Sequence, residues 1–420
     1  MSQDVFTTLE SEVRFYCRAF PTVFERATGH EIFDRDGRRY VDFLAGCGAL
    51  NYGHNNAAIK RAVIEYLEND GILHAMDMHT RAKAKFMEDF DDVVLKPRKL
   101  EYKMQFSGPT GTNAVEAALK LARKVTRRPT VAAFTHAFHG VTLGSLAATS
   151  SRGKRQAAGV DLANVTRLPF DGYFGADIDT IALIERLIAD KGSGIDLPAA
   201  FLVETLQAEG GLNVASTGWL QRLQGVAQQH GILLIVDDIQ AGCGRTGGFF
   251  SFERAGVYPD IVCLSKSIGG IGLPLAMVLM KPEIDRWEPG EHNGTFRGNN
   301  LAFVAATAAL EYWKTDSLET EIGRKANAVT ERLTGIATIA GANAARVKGL
   351  GLLQGIAWDR PGVSGRIAET AFRNGLVIET CGAGDEVLKV SPPLTIDDEG
   401  LDEGLDILER SVETVLAGAA

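Results

Sequence analysis

Ile232-Leu233-Leu234-Ile235-Val236-Asp237-Asp238-Ile239-Gln240 is a run of five apolar residues that ends in two carboxylates. Apolar residues in succession, without alternation, mark a strand buried on both faces. Similar runs occupy 131–134, 199–203, 261–264 and 275–280. Helical spacing appears between them. Ile59, Ala62, Val63, Tyr66 and Leu67 share one face, as do Val115, Ala118, Leu119 and Ala122. Leu220, Leu223 and Ala227 mark another helix, with Gly231 as its expected stop. Helices alternating with doubly buried strands imply an α/β domain around a mostly parallel sheet.

The ends differ from this centre. Glu31-Ile32-Phe33, a turn at 34–38 and Tyr40-Val41-Asp42-Phe43 form an expected hairpin. Beyond about residue 305 one long helix is expected over roughly 301–335, followed by short strands near 351–357 and 387–390. A final helix puts Leu401, Leu405, Leu408, Val412 and Val415 on one face. A chain of 420 residues exceeds the roughly 250–300 that one core usually serves. The expected division is a large α/β domain over 51–304 and a smaller α+β domain. Residues 1–50 supply the N-terminal part of the smaller domain and 305–420 its C-terminal part.

Composition excludes several classes. Hydrophobic residues are 45% and charged residues 23%, near the globular average. Net charge is 44 − 53 = −9 with no long basic run, so nucleic acid is not an expected partner. The five cysteines, Cys17, Cys47, Cys243, Cys263 and Cys381, are scattered and contain no C-x-x-C, so neither zinc nor disulfides are expected. Reduced thiols fit the cytoplasm. Early charges at Asp4, Glu10, Glu12 and Arg14 argue against a signal peptide, and the apolar runs are too short for a membrane span.

The chemistry starts at Asp237. In such sheets the ligand crevice lies at the carboxyl ends of the strands. A carboxylate there can hold a cationic ring nitrogen protonated, although an Asp also commonly caps a turn. Twenty-nine residues on (266 − 237), the run 261–264 ends in Ser265-Lys266, followed by Ser267-Ile268-Gly269-Gly270-Ile271-Gly272. A strand-end lysine can form a Schiff base with a carbonyl cofactor, though most lysines are merely solvated. Gly108-Pro109-Thr110-Gly111-Thr112-Asn113 opens a helix whose free amides favour a phosphate; an ordinary capped start is the alternative. In Phe134-Thr135-His136-Ala137-Phe138-His139-Gly140 an aromatic near a strand end can lie on a flat ring. His136 and His139 have no acidic or Cys neighbour at metal-ligand spacing, so no metal site is expected. Gly242-Cys243-Gly244-Arg245-Thr246-Gly247 spells G-x-G-x-x-G. Residues 237–240 separate it from the strand, and 248–252 does not resemble a helix, so a nicotinamide site is rejected.

Taken together, these segments resemble the class III (ω-type) aminotransferases, pyridoxal-phosphate enzymes of fold type I. The similarity runs from about Gly29 to Leu408. It is carried by 203–211 (Val-Glu-Thr-Leu-Gln-Ala-Glu-Gly-Gly), 236–247, Ser265-Lys266 and 292–299 (His-Asn-Gly-Thr-Phe-Arg-Gly-Asn). The resemblance implies that Lys266 bonds to pyridoxal 5'-phosphate, Asp237 keeps the pyridine nitrogen protonated, and Gln240 bonds the ring hydroxyl. It implies that Phe138 stacks on the ring, that Gly111 and Thr112 bind the phosphate, and that Thr295 reaches the phosphate in a neighbouring subunit. A homodimer or dimer of dimers follows. Within the family, 11–14, 42–54, 108–116 and 293–298 are similar to the ectoine-pathway subgroup, which exchanges the terminal amine of L-2,4-diaminobutyrate with 2-oxoglutarate. That subgroup has Gly-Pro-Thr-Gly-Thr-Asn where most class III enzymes have a Ser-Gly-Ala-Glu type loop. Siderophore-type diaminobutyrate, ornithine and 4-aminobutyrate enzymes share the motifs. A mutase or a regulator on the same fold is the more distant alternative, and a regulator would carry an added DNA-binding domain. Lys389 departs from the pattern: many glutamate-using relatives have arginine there, paired to the position of Glu209. Lysine lacks the bidentate fork, which leaves open whether Lys389 or another cation such as Arg297 takes the substrate carboxylate.

Overall fold

The computed structural model describes residues 4–341 and 345–418. Its centre is a seven-stranded sheet in the spatial order Lys103–Phe106, Met277–Met280, Ile261–Leu264, Leu233–Asp237, Ala200–Val203, Val131–Phe134, Val165–Leu168. Met277–Met280 is antiparallel to both of its neighbours, and the pairings from Ile261–Leu264 onward are parallel. The five expected runs all appear, with ends shifted by no more than two residues.

Their unbroken apolarity has a direct cause. Phe134, Val203, Val236 and Leu264 point into one hydrophobic cluster, while Ala133, Leu202, Ile235 and Cys263 point into another on the opposite face. Alternate residues therefore face different cores, and no face is left for water. The second core is closed by the helix Gly111–Thr126 through Ala114, Val115, Ala118, Leu119 and Ala122. The helix Thr217–His230 stops at Gly231, whose φ of 58° is left-handed and costs glycine little.

The ends of the chain meet. Phe24–Thr28, Glu31–Asp34 and Arg39–Asp42 form an antiparallel meander, and Leu376–Val377 adds to it in parallel beside Val41 and Asp42. A second, antiparallel sheet runs Ala345–Leu350, Leu353–Trp358, Val387–Val390, Glu379–Cys381.

One expectation fails. The single helix over 301–335 is two helices, Asn300–Leu310 and Ser317–Ile339, with a 3-10 turn at Glu311–Trp313 between them. Trp313 is buried and its indole N–H donates to Tyr52 Oη at 2.8 Å, which holds the chain away from a straight course. Lys314-Thr315-Asp316-Ser317 then supplies a polar break and a new start.

Candidate active site

Two adjacent parallel strands set the site. Leu233–Asp237 and Ile261–Leu264 pair with Asp237 opposite Cys263, so Asp237 and the Lys266 turn emerge together at the carboxyl edge of the sheet. A cavity of about 250 Å³ opens there. Gly111, Thr112, Phe138, Asp237, Gln240 and Lys266 all line it.

Lys266 begins a 3-10 turn with φ 53°, a left-handed conformation that a side chain adopts only under constraint. The constraint is visible. Ser267 Oγ donates to Gly48 O at 2.6 Å and accepts from Asn51 N at 3.2 Å. The loop it grips carries left-handed residues at Ala45, Gly46 and Cys47. Asp42 Oδ1 anchors that loop by accepting from the amides of Leu44 and Ala45. Cys47 O thus becomes a shared acceptor for Lys266 Nζ at 2.8 Å and Gln240 Nε2 at 2.9 Å. Burial lowers the basicity of Lys266, which favours a nucleophilic amine.

The two neighbouring aspartates differ. Asp237 Oδ2 lies 2.7 Å from His139 Nδ1, and His139 is itself fully buried. Asp238 turns away from the cavity, and its Oδ2 accepts from Ser251 N at 3.0 Å. Burial pushes Asp238 up to about 7. Glu204, at the end of Ala200–Val203, accepts from Phe138 N at 2.9 Å and orients that residue's backbone. Burial first, and Asp237 second, hold Glu204 well above the usual carboxylate range. His139 and Glu204 lay within quoted motifs, but they carry roles that spacing alone does not reveal. A strand-end acid, the same signal that exposed Asp237, was available for Glu204.

At the opposite wall the helix Gly111–Thr126 presents its N-terminus. Thr112 Oγ1 reaches Thr142 Oγ1 at 2.6 Å and also touches Ser145. Gly140 has to be glycine, because a Cβ there would sit 2.5 Å from Thr112 Oγ1. Amine, carboxylate, aromatic ring and helix N-terminus around one cavity match the functional groups of pyridoxal phosphate: aldehyde, pyridine nitrogen, flat ring and phosphate.

Lys389 and Glu209 are paired, at 2.7 Å from Nζ to Oε1. The side chain of Lys389 is wholly buried, so it is not a solvated lysine on the surface of its strand. Thr295 is exposed and does not line the cavity of its own chain.

The family profile described as "Aminotransferase class-III" matches residues 16–412. The chain belongs to the class III aminotransferases. It is 54% identical over 413 residues to a diaminobutyrate–2-oxoglutarate transaminase of Halalkalibacterium halodurans, covering 98% of this chain and 97% of that one. A protein of the same name from Bordetella parapertussis is 55% identical over 419 residues, 99% and 96% of the two chains. Among solved structures, the ornithine aminotransferase of Toxoplasma gondii superposes with a TM-score of 0.86 at 24% identity, covering 99% of this chain and 95% of that chain. The members of this family are pyridoxal-phosphate enzymes, and the α/β architecture with its large, mostly parallel sheet is theirs.

Proposed function

We infer that this aminotransferase exchanges the terminal amino group of L-2,4-diaminobutyrate with 2-oxoglutarate, the products being aspartate 4-semialdehyde and glutamate. The observation that carries the reading is identity of 54–55% across nearly the whole chain to two transaminases named for that pair. Ectoine biosynthesis, with its osmoprotective product, is the pathway the reading implies, running towards diaminobutyrate in the cytoplasm.

Pyridoxal phosphate supplies an electron sink when bound. Lys266 Nζ, in the cavity and lowered in basicity by burial, would hold the cofactor covalently and, when free, could hold and move a proton at the substrate's reacting carbon. Asp237 would pair with the ring nitrogen and favour its protonated form, and His139 holds that carboxylate in place. Phe138 would cover one ring face, Gln240 would bond the ring hydroxyl, and the amides and hydroxyl of Gly111 and Thr112 would take the phosphate. Thr295 completes the phosphate site of a second copy, so the working form is a homodimer or a dimer of dimers. Phe296, the next residue in the chain, is exposed apolar surface suited to burial between copies.

The donor brings no carboxylate to its reacting carbon, whereas 2-oxoglutarate brings one. Lys389 takes that carboxylate when Glu209 swings away, and Glu209 masks it for the donor. The division at 51–304 belongs to the same reading, and pairing of Leu376–Val377 with the N-terminal meander supports joining both ends in one smaller domain.

A coupled transaminase assay tests the substrate choice. Diaminobutyrate is expected to exceed ornithine and 4-aminobutyrate in kcat/KM with 2-oxoglutarate as acceptor. Faster turnover of either rival overturns it.

A further inference from the structure

Lys389 has two carboxylate neighbours. Glu379 stands directly opposite it across the antiparallel pair Glu379–Cys381 and Val387–Val390, so backbone register fixes the contact. Lys389 Nζ lies 2.7 Å from Glu379 Oε1, the same distance as from Glu209 Oε1. The two contacts are unlike. Glu209 receives an aligned hydrogen bond, whereas Glu379 Oε1 is buried at an angle that gives it none. Glu209 sits on the stretch after Leu206–Gln207, with its carbonyl accepting from Gly382 N at 3.0 Å, and its side chain keeps some exposure. Glu379 is 8% exposed and has no comparable freedom to leave.

This geometry limits what movement of Glu209 achieves. With Glu379 ionised, Lys389 remains neutralised after Glu209 has gone. An incoming carboxylate then meets a compensated pair. With Glu379 protonated, the same movement exposes a full positive charge.

We propose that Glu379 is a specificity-determining residue: it takes up one proton from solvent when 2-oxoglutarate binds and returns it when the dicarboxylate leaves. The proposal rests on Lys389 as the seat of the carboxylate. Burial first raises Glu379 against the pull of Lys389, with Glu209 adding to the rise, and a substrate carboxylate seated where Glu209 was brings a charge of the same sign. Glu209 goes the other way, held at about 2 by Lys389 and Lys266 against its own burial. The other groups facing Glu379 do not supply the proton. Cys47 Sγ is 3.8 Å from Oε2 and is pushed up to about 11 by burial. Tyr16, hydrogen-bonded to that thiol, is raised by its burial, as is Cys381, to about 12. Lys266 is the remaining group, and the cofactor's own absorbance follows its protonation.

The experiment is calorimetric binding of 2-oxoglutarate to the holoenzyme without amino donor, between pH 6 and 9. Two buffers of unlike ionisation heat count the protons, and the uptake seen in cofactor absorbance is subtracted. Wild type is expected to retain net uptake and to bind more weakly as pH rises. Glu379→Gln, close in shape, is expected to abolish that uptake and to bind 2-oxoglutarate roughly ten-fold tighter at the alkaline end. The kcat/KM ratio of 2-oxoglutarate over diaminobutyrate should shift the same way, and Glu379→Asp should restore the uptake. No net uptake in wild type overturns the proposal even if the Gln variant is not recovered. So does a Gln variant with wild-type uptake. Lys389→Met separates the two levels. If it leaves 2-oxoglutarate affinity intact, the Lys389 reading itself fails. If it weakens binding while Glu379→Gln behaves as wild type, only the role of Glu379 is lost.

Discussion

Asp237 and Asp238 are adjacent in the chain, and their surroundings assign them different work. Asp237 faces the cavity with His139 behind it; Asp238 is sealed against Ser251. Asp237→Asn is expected to slow turnover roughly 100- to 1,000-fold, the scale of losing one preorganised electrostatic contact. Asp238→Asn should slow it far less, and steady-state kinetics on the two variants decides. The pH dependence separates them further. Asp238 binds its proton up to about 7 in the fold, whereas an unfolded Asp releases it near 4. The folded state therefore holds the extra proton between those values, and this group's contribution to stability falls as pH rises from about 4 to about 7. Asp238→Asn removes that slope. Thermal midpoints recorded across the window should decline less with pH in the variant than in wild type.

At the scale of elements, the misleading G-x-G-x-x-G segment turns out to be a clasp. Arg245 is fully buried within it and donates to Asn51 Oδ1, Leu352 O and Pro392 O, three segments far apart in sequence. Gly244 has φ 90°, and a Cβ there would sit 2.7 Å from the Trp313 ring. Gly244 thus serves close packing against a tryptophan, and Gly242 close packing against Asp238. Arg245→Lys keeps the charge but loses the planar fork, leaving buried carbonyls unpaired. A loss of about 2–4 kcal/mol is expected in chemical denaturation, with cofactor absorbance unchanged in the folded variant. The strands were legible because burial on both faces writes a continuous apolar run, as at 232–236. Lys266 and Asp237 were legible because each ends such a run. The break at Glu311–Trp313 was not, since its cause is the hydrogen bond of Trp313 to Tyr52, 261 residues away. Glu379 escaped for the same reason: its meaning comes from register opposite Lys389 and from no local pattern.

For the molecule as a whole, the proposed reach of Thr295 into a second copy predicts concentration dependence. Activity should fall as the protein is diluted into monomers, with sedimentation run in parallel; a fully active monomer would refute the shared site. Pairing of the two ends of the chain has a different consequence, one for synthesis. Val41 N donates to Gly375 O, Phe43 N to Val377 O, and Ser391 N to Phe43 O, each near 3 Å. The loop that presents Cys47 O to Lys266 hangs from this same meander. A ribosome adds roughly 5–20 residues per second, so the first fifty residues wait some tens of seconds for their partners. The catalytic lysine is translated well before its surroundings close. A nascent chain halted short of residue 376 is therefore expected to hold the segments of its central sheet but to lack the strand that pins the meander carrying the Cys47 loop.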